Sequence, residues 1–569
     1  MEAAKAFTDA LEFIELHTDH TDTTSSSASS SLNKQIVTLI NNRSAMYEKG
    51  SFPELALEDC NKILEVYDKA HTKARTRKLR ILEHFSQNYN ALVEVCALQL
   101  LYMQQNRDTL RMGIQPASPP PVPQSKLEDF IVKLVPEQLA EYEAKLEEKK
   151  KKADTLPSDY TLLQLLKSYT GYNSWMAKAA RDGSMDKIDK ELDALPQDDD
   201  SPTAKADRAG ILLKKGRRHV YQGQYQDARL TLLQAFELID GEPDVYNLLK
   251  DDAYARLLEW TGMVKHWTYN LDGATACYQQ CADLEPINVS SWRQIKLRVD
   301  QDYLVSMSHS LVSPLFYYWI LQAEILVKQA GVAMDGGKHE EAITLFEKAL
   351  GIDPDTVDAL LHRANLRMLQ QKLPEAKDDL ERCIKLRPDH VLAHLRLAAV
   401  LTSMNDEPGA KKHLDSAERV DPESSEVQSY RGELYFTQNE FAQAKAQFEK
   451  AIQLEPKNPT PYVNAALAEL NTPPEAGQQM NMAKNACRLL EQAIEVDPQF
   501  HAAYVQLGQL KLGTATDLSA AKEVIILYEQ ALENCRTVDE LKDLCSMKLL
   551  THAQVDAATM LKMETFNMQ

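Results

Sequence analysis

The 569-residue sequence lacks the short signatures that catalytic chemistry usually needs. No HExxH, GxSxG, GxGxxG or GxxxxGK followed by Ser or Thr occurs in a usable context, so zinc-protease, serine-hydrolase and nucleotide-phosphate sites have no anchor. The nearest glycine pair, in MDGGKHEEA at 334–342, fits an inter-helix turn, with His339 and Glu340 as turn and helix-start residues. No catalytic residue, metal or cofactor is expected, and the chain does not look like an enzyme. Positive charge is also short: 64 Lys plus Arg face 84 Asp plus Glu, a net charge of −20. The basic footprint of a nucleic-acid binder is therefore missing. An acidic surface steers basic segments inward or simply keeps a protein soluble.

The eight cysteines, at 60, 96, 277, 281, 383, 487, 535 and 545, form no CxxC and no zinc-type spacing, which points to reduced thiols in a cytosolic setting. Cys277 and Cys281 stand one helical turn apart, but Cys281 falls on a packing position. The most apolar run, Leu311 to Val327, is interrupted by Ser313, Pro314, Gln322 and Glu324, short of the roughly 20 clean apolar residues a membrane helix needs. Met1 to Ile14 is amphipathic and has no signal-peptide cleavage site. As given, the chain reads as soluble.

What the sequence has in abundance is a repeat. Pro354, Pro388, Pro422 and Pro456 follow at intervals of 34, each in a short charged stop: IDPD, LRPD, VDPE and LEPK. Twelve residues before them stand Ala342, Ala376, Ala410 and Ala444; five before, Ala349, Cys383, Ala417 and Ala451; ten after, Ala364, Ala398, Gly432 and Ala466. Small residues at these places let helix A of a hairpin lie close against helix B, and the proline blocks continuation at the hairpin's end. The pattern is that of the tetratricopeptide repeat, and the expected fold is an all-α tetratricopeptide-repeat α-solenoid of helical hairpins in two arrays.

The frame continues through Ala486, Ala493 and Pro498, after an eight-residue insertion around Asn471 to Gly477, to Gly508 and Ala531. Upstream it holds at Gly262, Ala274, Cys281 and Pro286, and at Gly216, Ala228 and Ala235, whereas Trp292 to Ser313 fits poorly and reads as a degenerate or extended repeat. A second cluster lies near the N-terminus, with Ser44 and Ala56 in frame, then Leu79 and Ala91. Ala3, Phe7 and Ala10 match a B helix whose A helix would precede Met1, so the chain is expected to start mid-repeat, N-terminally truncated. The Thr24 to Ser31 stretch reads as a flexible loop, PASPPPVPQS at 116–125 as a stiff extended linker, and LEEKKKKAD at 146–154 as a charged helix end. The expected organisation is an N-terminal repeat domain at 1–102, a Pro-rich and charged linker at 103–156, and a C-terminal array at 157–569.

Three polar residues stand out in this frame. Asn42 occupies position 6 of one A helix, and Lys73 and Arg77 occupy positions 2 and 6 of the next, on the concave face. Two cations and an amide converging there suit a pair of carboxylates, since Lys and Arg give charge-assisted bonds and Asn bonds peptide backbone. The competing possibility is that KARTRKLR, residues 73–80, is a solvated basic face.

NNRSAMYEKG, ELALEDC and KARTRK together resemble dicarboxylate-clamp repeat domains, which bind the C-terminal Glu-Glu-Val-Asp tails of the seventy- and ninety-kilodalton heat-shock chaperones. That resemblance makes Asn42, Lys73 and Arg77 the matching clamp residues. With the segment LPSDYTLLQLLKSYTGY at 156–172, and AAYVQLGQLKL and YEQALENCRTVDELKDL near the end, the chain resembles the seventy-kilodalton import receptors of the mitochondrial outer-membrane translocase. The resemblance implies a receptor on the cytosolic face of the outer membrane. Chaperones would dock at the clamp, internal targeting segments of precursor proteins would bind the C-terminal array, and other translocase subunits would be partners. The family's membrane anchor is not found in this chain.

Groove positions 2, 5, 9 and 12 of the C-terminal A helices include Leu361, Leu395, Val463, Leu467, Val505 and Leu512, among Asp358, Glu426, Glu433 and Gln509. Apolar residues beside acids suit a basic amphipathic helix, although packing between neighbouring A helices accounts for the same apolar residues. A soluble co-chaperone with the same clamp and no membrane tether is the alternative function.

Overall fold

The computed structural model describes residues 2–18, 26–107, 109, 115–152, 156–196, 198–249, 253–284, 314–473, 479–515 and 517–563. Its opening helices are α1 (Glu2–Thr18), α2 (Ser26–Lys49), α3 (Pro53–Lys62, extended by a π turn at Ile63–Tyr67), α4 (Thr72–His84), α5 (Asn88–Gln105) and α6 (Gln124–Lys152). Then come α7 (Asp159–Lys167), α8 (Tyr172–Arg181), α9 (Met185–Asp193), α10 (Pro202–Tyr221), α11 (Tyr225–Glu237), the single turn α12 (Pro243–Tyr246), α13 (Ala253–Trp267) and α14 (Leu271–Ala282). The regular array follows as α15 (Pro314–Asp335), α16 (His339–Ile352), α17 (Val357–Leu369), α18 (Leu373–Leu386), α19 (Val391–Ser403), α20 (Glu407–Val420), α21 (Ser425–Thr437), α22 (Phe441–Leu454) and α23 (Thr460–Asn471). The last four are α24 (Gln479–Val496), α25 (His501–Thr514), α26 (Leu518–Asn534) and α27 (Val538–Leu561). Every regular element among the described residues is helical, and successive helices pack as hairpins, so the all-α tetratricopeptide-repeat solenoid is the fold.

The hairpin follows from side-chain size. A β-carbon added to Gly216 would lie 2.5 Å from the Leu232 side chain, one on Gly262 would lie 2.6 Å from Tyr278, and one on Gly432 would lie 2.5 Å from Phe448. In each pair a large B-helix side chain sits sixteen residues after the glycine and fills the space the glycine leaves. Ser44 takes the same place in the α2–α3 hairpin, where its hydroxyl donates to the Ala56 carbonyl at 2.9 Å and stands 3.3 Å from Cys60 Sγ. The prolines act as expected: α16, α18, α20 and α22 end two residues before Pro354, Pro388, Pro422 and Pro456.

The four hairpin turns of the regular array from α15 to α22 each use a left-handed residue at the end of helix A. Gly337, Gln371, Asn405 and Asn439, again at intervals of 34, have φ of 72°, 60°, 60° and 61°. The next residue's N–H then reaches back five residues: Lys338 to Ala333, Lys372 to Arg367 and Asp406 to Leu401 at 2.8 Å, and Glu440 to Tyr435 at 2.9 Å. This Schellman-type closure satisfies carbonyls that the helix end leaves open. Three of the four residues are not glycine, which is why their common conformation does not stand out in the sequence.

The packing forms two compact units, one of residues 1–146 with 474–569 and one of residues 147–473. In the first, Leu92, Cys96 and Leu98 of α5, Phe130 of α6, and Leu549, Ala553 and Ala557 of α27 share one core. Tyr89 donates to Asp556 at 2.6 Å at the edge of that core. The boundaries drawn at 102 and 156 remain a proposal from composition. In the second unit one core joins α7, α10, α11, α13 and α14, and another joins α17 to α21.

One local expectation is corrected. Ser26 to Ser31, read as part of a flexible loop, form the first turns of α2; the run has neither Gly nor Pro, so the helix propagates back from Leu32. Thr24 and Ser25 lie outside the described residues, as do the poorly fitting Trp292 to Ser313 and residues 474–478 of the expected insertion.

Candidate functional site

The cationic face of the first unit is built on α2 and α4. His71 caps α4 by accepting the Ala74 N–H on Nδ1 at 3.1 Å. Burial lowers its pKa, and the charges of Lys73 and Arg77 add to that while Asp68 opposes it. Within KARTRKLR the cations divide. Arg75 is buried, donating to Glu94 at 2.7 Å and to the Lys69 carbonyl, and Lys78 also reaches Glu94 at 3.0 Å. Arg80 pairs with Glu48 at 2.9 Å.

Arg77 is 8% exposed. Its Nε donates to Glu48 at 3.1 Å, and its Nη1 donates to the Asn41 side chain at 2.8 Å and the Asn41 carbonyl at 3.1 Å. Burial would raise the Glu48 carboxyl, but its bonds to Arg80 and Arg77 hold it below the ordinary range. Lys73, one turn before Arg77 on the same helix, is exposed, and so is Asn42. Neither makes a hydrogen bond or ion pair within the described residues. The structure thus puts Lys73 and Arg77 on one side of α4 and leaves Lys73 and Asn42 open, but the amide that touches Arg77 is Asn41. Glu48 and Asn41 were missed because both are contacts between helices 29 and 36 residues apart.

In the second unit, Leu361 and Leu395 are wholly buried in the core of α17 to α21, and Val463 is 6% exposed. Their atoms pack between helices. Glu426 and Leu467 are half-buried and Glu433 is exposed. Burial raises the carboxyl of half-buried Glu426, with Glu455 adding to it, and although Glu433 is exposed as a residue, desolvation by neighbouring helices shifts its carboxyl the same way; Arg396 opposes the rise at both. Val505, half-buried, and Gln509, exposed and donating to Met547 Sδ at 3.6 Å, belong to the other compact unit. Leu512 packs against that unit's core.

In the second unit, residues 158–171 pack against the unit's own helices. Ser158 caps α7 by accepting the Thr161 N–H at 3.3 Å, and Leu162 and Leu166, one turn apart, are buried. Tyr160 is close enough to Glu455 and Glu426 to feel their charges, and Lys167 lies near Glu426. In the turn after α7, the Thr170 N–H donates to both oxygens of Asp358 at 3.0 and 3.2 Å, and its hydroxyl donates at 3.0 Å. Burial raises the Asp358 carboxyl, and the Thr170 bonds offset part of that rise. The Tyr169 ring lies 5.3 Å from His362 and 6.0 Å from Trp175. Lys328 stands over Trp175 at 5.0 Å and is bonded to Glu259 at 2.5 Å, which Arg256 also bonds at 2.7 Å. Burial alone would raise Glu259, yet these two cations hold it down at about 2.

On α17 and α19, three buried polar atoms have no hydrogen-bond partner among the described residues: His362 Nε2, Asn365 Oδ1 and Arg396 Nε. Burial, then the Arg396 charge, lowers His362 to about 4, so its ring is neutral. His362 and Arg396 occupy position 6 of their A helices, the place that Asn42 and Arg77 take in the first unit. The repeat frame therefore marks position 6, beside positions 2, 5, 9 and 12, as a place for polar residues on the A helices.

Residues 322–472 match a family model for a tetratricopeptide repeat-like domain. Across the whole sequence, the mitochondrial import receptor subunit TOM70 of Homo sapiens is 22% identical over 540 residues, 92% of this chain and 74% of that protein. The chain carries a tetratricopeptide repeat-like domain and is similar to the import receptor TOM70. The Saccharomyces cerevisiae S288c TOM70 is 29% identical over 222 residues, 38% of this chain and 34% of that one. The crystal structure of yeast Tom70 matches with a TM-score of 0.47 at 20% identity, covering 98% of this chain and 96% of that chain. No helix among the described residues is long and apolar enough to cross a membrane.

Proposed function

We propose that this chain is a receptor for mitochondrial protein import that acts on the cytosolic side of the outer membrane. The observation that carries the proposal is the likeness to the human import receptor along nearly the whole chain. In this role the face of α2 and α4 docks the acidic C-terminal tails of seventy- and ninety-kilodalton heat-shock chaperones. Lys73 and Asn42 are open to an incoming carboxylate, and Arg77 lies beneath them, oriented by Glu48 and Asn41. Lys73 provides a point charge and Asn42 an amide for the peptide backbone.

Internal targeting segments of precursors bind the second unit's inner face, where Leu467 on α23 offers apolar surface and α21 carries the carboxylates Glu426 and Glu433. Such a surface suits an amphipathic helix with basic residues on its polar side. Leu361, Leu395 and Val463 support that face from behind, as packing residues. Val505 and Gln509 belong to the other compact unit and are proposed as peptide-facing positions of that unit on sequence frame alone. The function needs no cofactor or catalytic group. The test is a titration of the full chain with a peptide ending in Glu-Glu-Val-Asp, in which Lys73→Ala weakens binding; unchanged affinity rules out the clamp.

A further inference from the structure

We propose that residues 159–171 are an exchangeable internal ligand of the second unit's inner face, so that a partner helix binds there by displacing them. The inference rests on the groove proposed above and adds what fills it. Three features make the segment resemble a docked peptide. It is a short amphipathic helix with Leu162 and Leu166 turned into the core and Lys167 set near Glu426. It meets residues far apart in the array, from Tyr225 on α11, near Asp159, to Asp358 on α17 and Glu426 on α21. Its strongest polar contact is a single carboxylate, Asp358, that holds Thr170.

The fit is incomplete. Buried polar groups in a finished core are almost always bonded, yet His362 Nε2, beside the Tyr169 ring, has no partner among the described residues, and neither do Asn365 Oδ1 on α17 and Arg396 Nε on α19. Tyr169 covers His362 with its ring and gives it no hydrogen bond. A competing helix that keeps the two leucines and the following cation, and adds a carboxamide, gains what the internal segment forgoes. A carboxamide both donates and accepts, so it can pair with an open acceptor such as Asn365 Oδ1 or an open donor such as Arg396 Nε. The partner is therefore an amphipathic helix with leucines one turn apart, a lysine or arginine beside them, and an Asn or Gln facing Arg396.

The probe is a fluorescent peptide of this chain's own residues 156–176, titrated into the full-length protein. In a Tyr160→Ala, Thr170→Ala variant the internal segment is loosened while the groove is untouched, and the peptide is expected to bind at least tenfold more tightly than to wild type. Adding Asp358→Ala to that variant is expected to remove the gain. Equal affinity for wild type and variant, or a gain that survives Asp358→Ala, overturns the proposal. Hydrogen exchange on the unmodified protein is a second reading that needs no variant. Amides of residues 160–170 are expected to exchange faster than those of α10 and α11, and exchange only with the whole unit overturns the proposal. Since the probe is self-derived, failure here and failure of precursor binding are separate results.

Discussion

The N–H and the hydroxyl of Thr170 both donate to the carboxylate of Asp358, 188 residues further along the chain. Asp358→Ala leaves both donors facing a buried gap, and removing one partner of buried bonds costs about 1–3 kcal/mol. Asp358→Asn keeps an acceptor oxygen and sheds a charge that burial disfavours, so it is expected to cost less. Urea unfolding of the two variants checks the order; equal losses would mean that the bond to Thr170 contributes nothing.

His362 provides a pH signature. Its ordinary value of 6.5 is lowered to about 4 in the fold. Between those values the unfolded chain binds the proton and the folded chain does not, so stability falls as pH drops through the window, by at most about 3 kcal/mol. His362→Asn removes this contribution. Between pH 7 and pH 4.5, wild type is therefore expected to lose more stability than the variant. Glu259 acts in the same direction, but lower, as pH falls from 4.5 toward 2.

Two glycines separate packing from helix propensity. Gly432→Ala would place a β-carbon 2.5 Å from the Phe448 ring, and overpacking of that kind costs about 1–3 kcal/mol. Gly210, within α10, has nothing within 4 Å of a built β-carbon. Gly210→Ala is expected to stabilise by about 0.5–1 kcal/mol through propensity alone. Thermal melts of the pair check the signs, and a stabilising Gly432→Ala would contradict the hairpin geometry.

Much of this architecture is legible in the sequence because a hairpin repeat depends on local spacing. Pro354, Pro388, Pro422 and Pro456 mark helix ends, and Ala376, Cys383 and Gly432 mark close approach, all at fixed places in a 34-residue period. Contacts across many repeats are not legible. Thr170 with Asp358 in one unit, and α27 against α5 in the other, join segments far apart in sequence and leave no periodic trace. At the cationic face, periodicity picked Lys73 and Arg77, yet a choice between the adjacent amides Asn41 and Asn42 depends on side-chain direction, and Arg77 selects Asn41.

The partnership of Arg77 with Glu48 makes a prediction of its own. Glu48→Gln takes a negative charge away from Arg77 and Arg80, so an acidic tail peptide is expected to bind more tightly, by roughly 0.5–2 kcal/mol at low salt, with the gain shrinking as salt rises. Weaker binding would show that Glu48 matters chiefly by orienting Arg77.

The central claim is that one chain holds two unlike peptide sites, and a cross-titration tests it most directly. Wild type, Lys73→Ala and Leu467→Asp are each titrated with a peptide ending in Glu-Glu-Val-Asp and with a hydrophobic internal targeting segment of a mitochondrial precursor. The account predicts that Lys73→Ala weakens the acidic peptide alone and Leu467→Asp weakens the targeting segment alone. Loss of both ligands in either variant, or of neither in both, would contradict it.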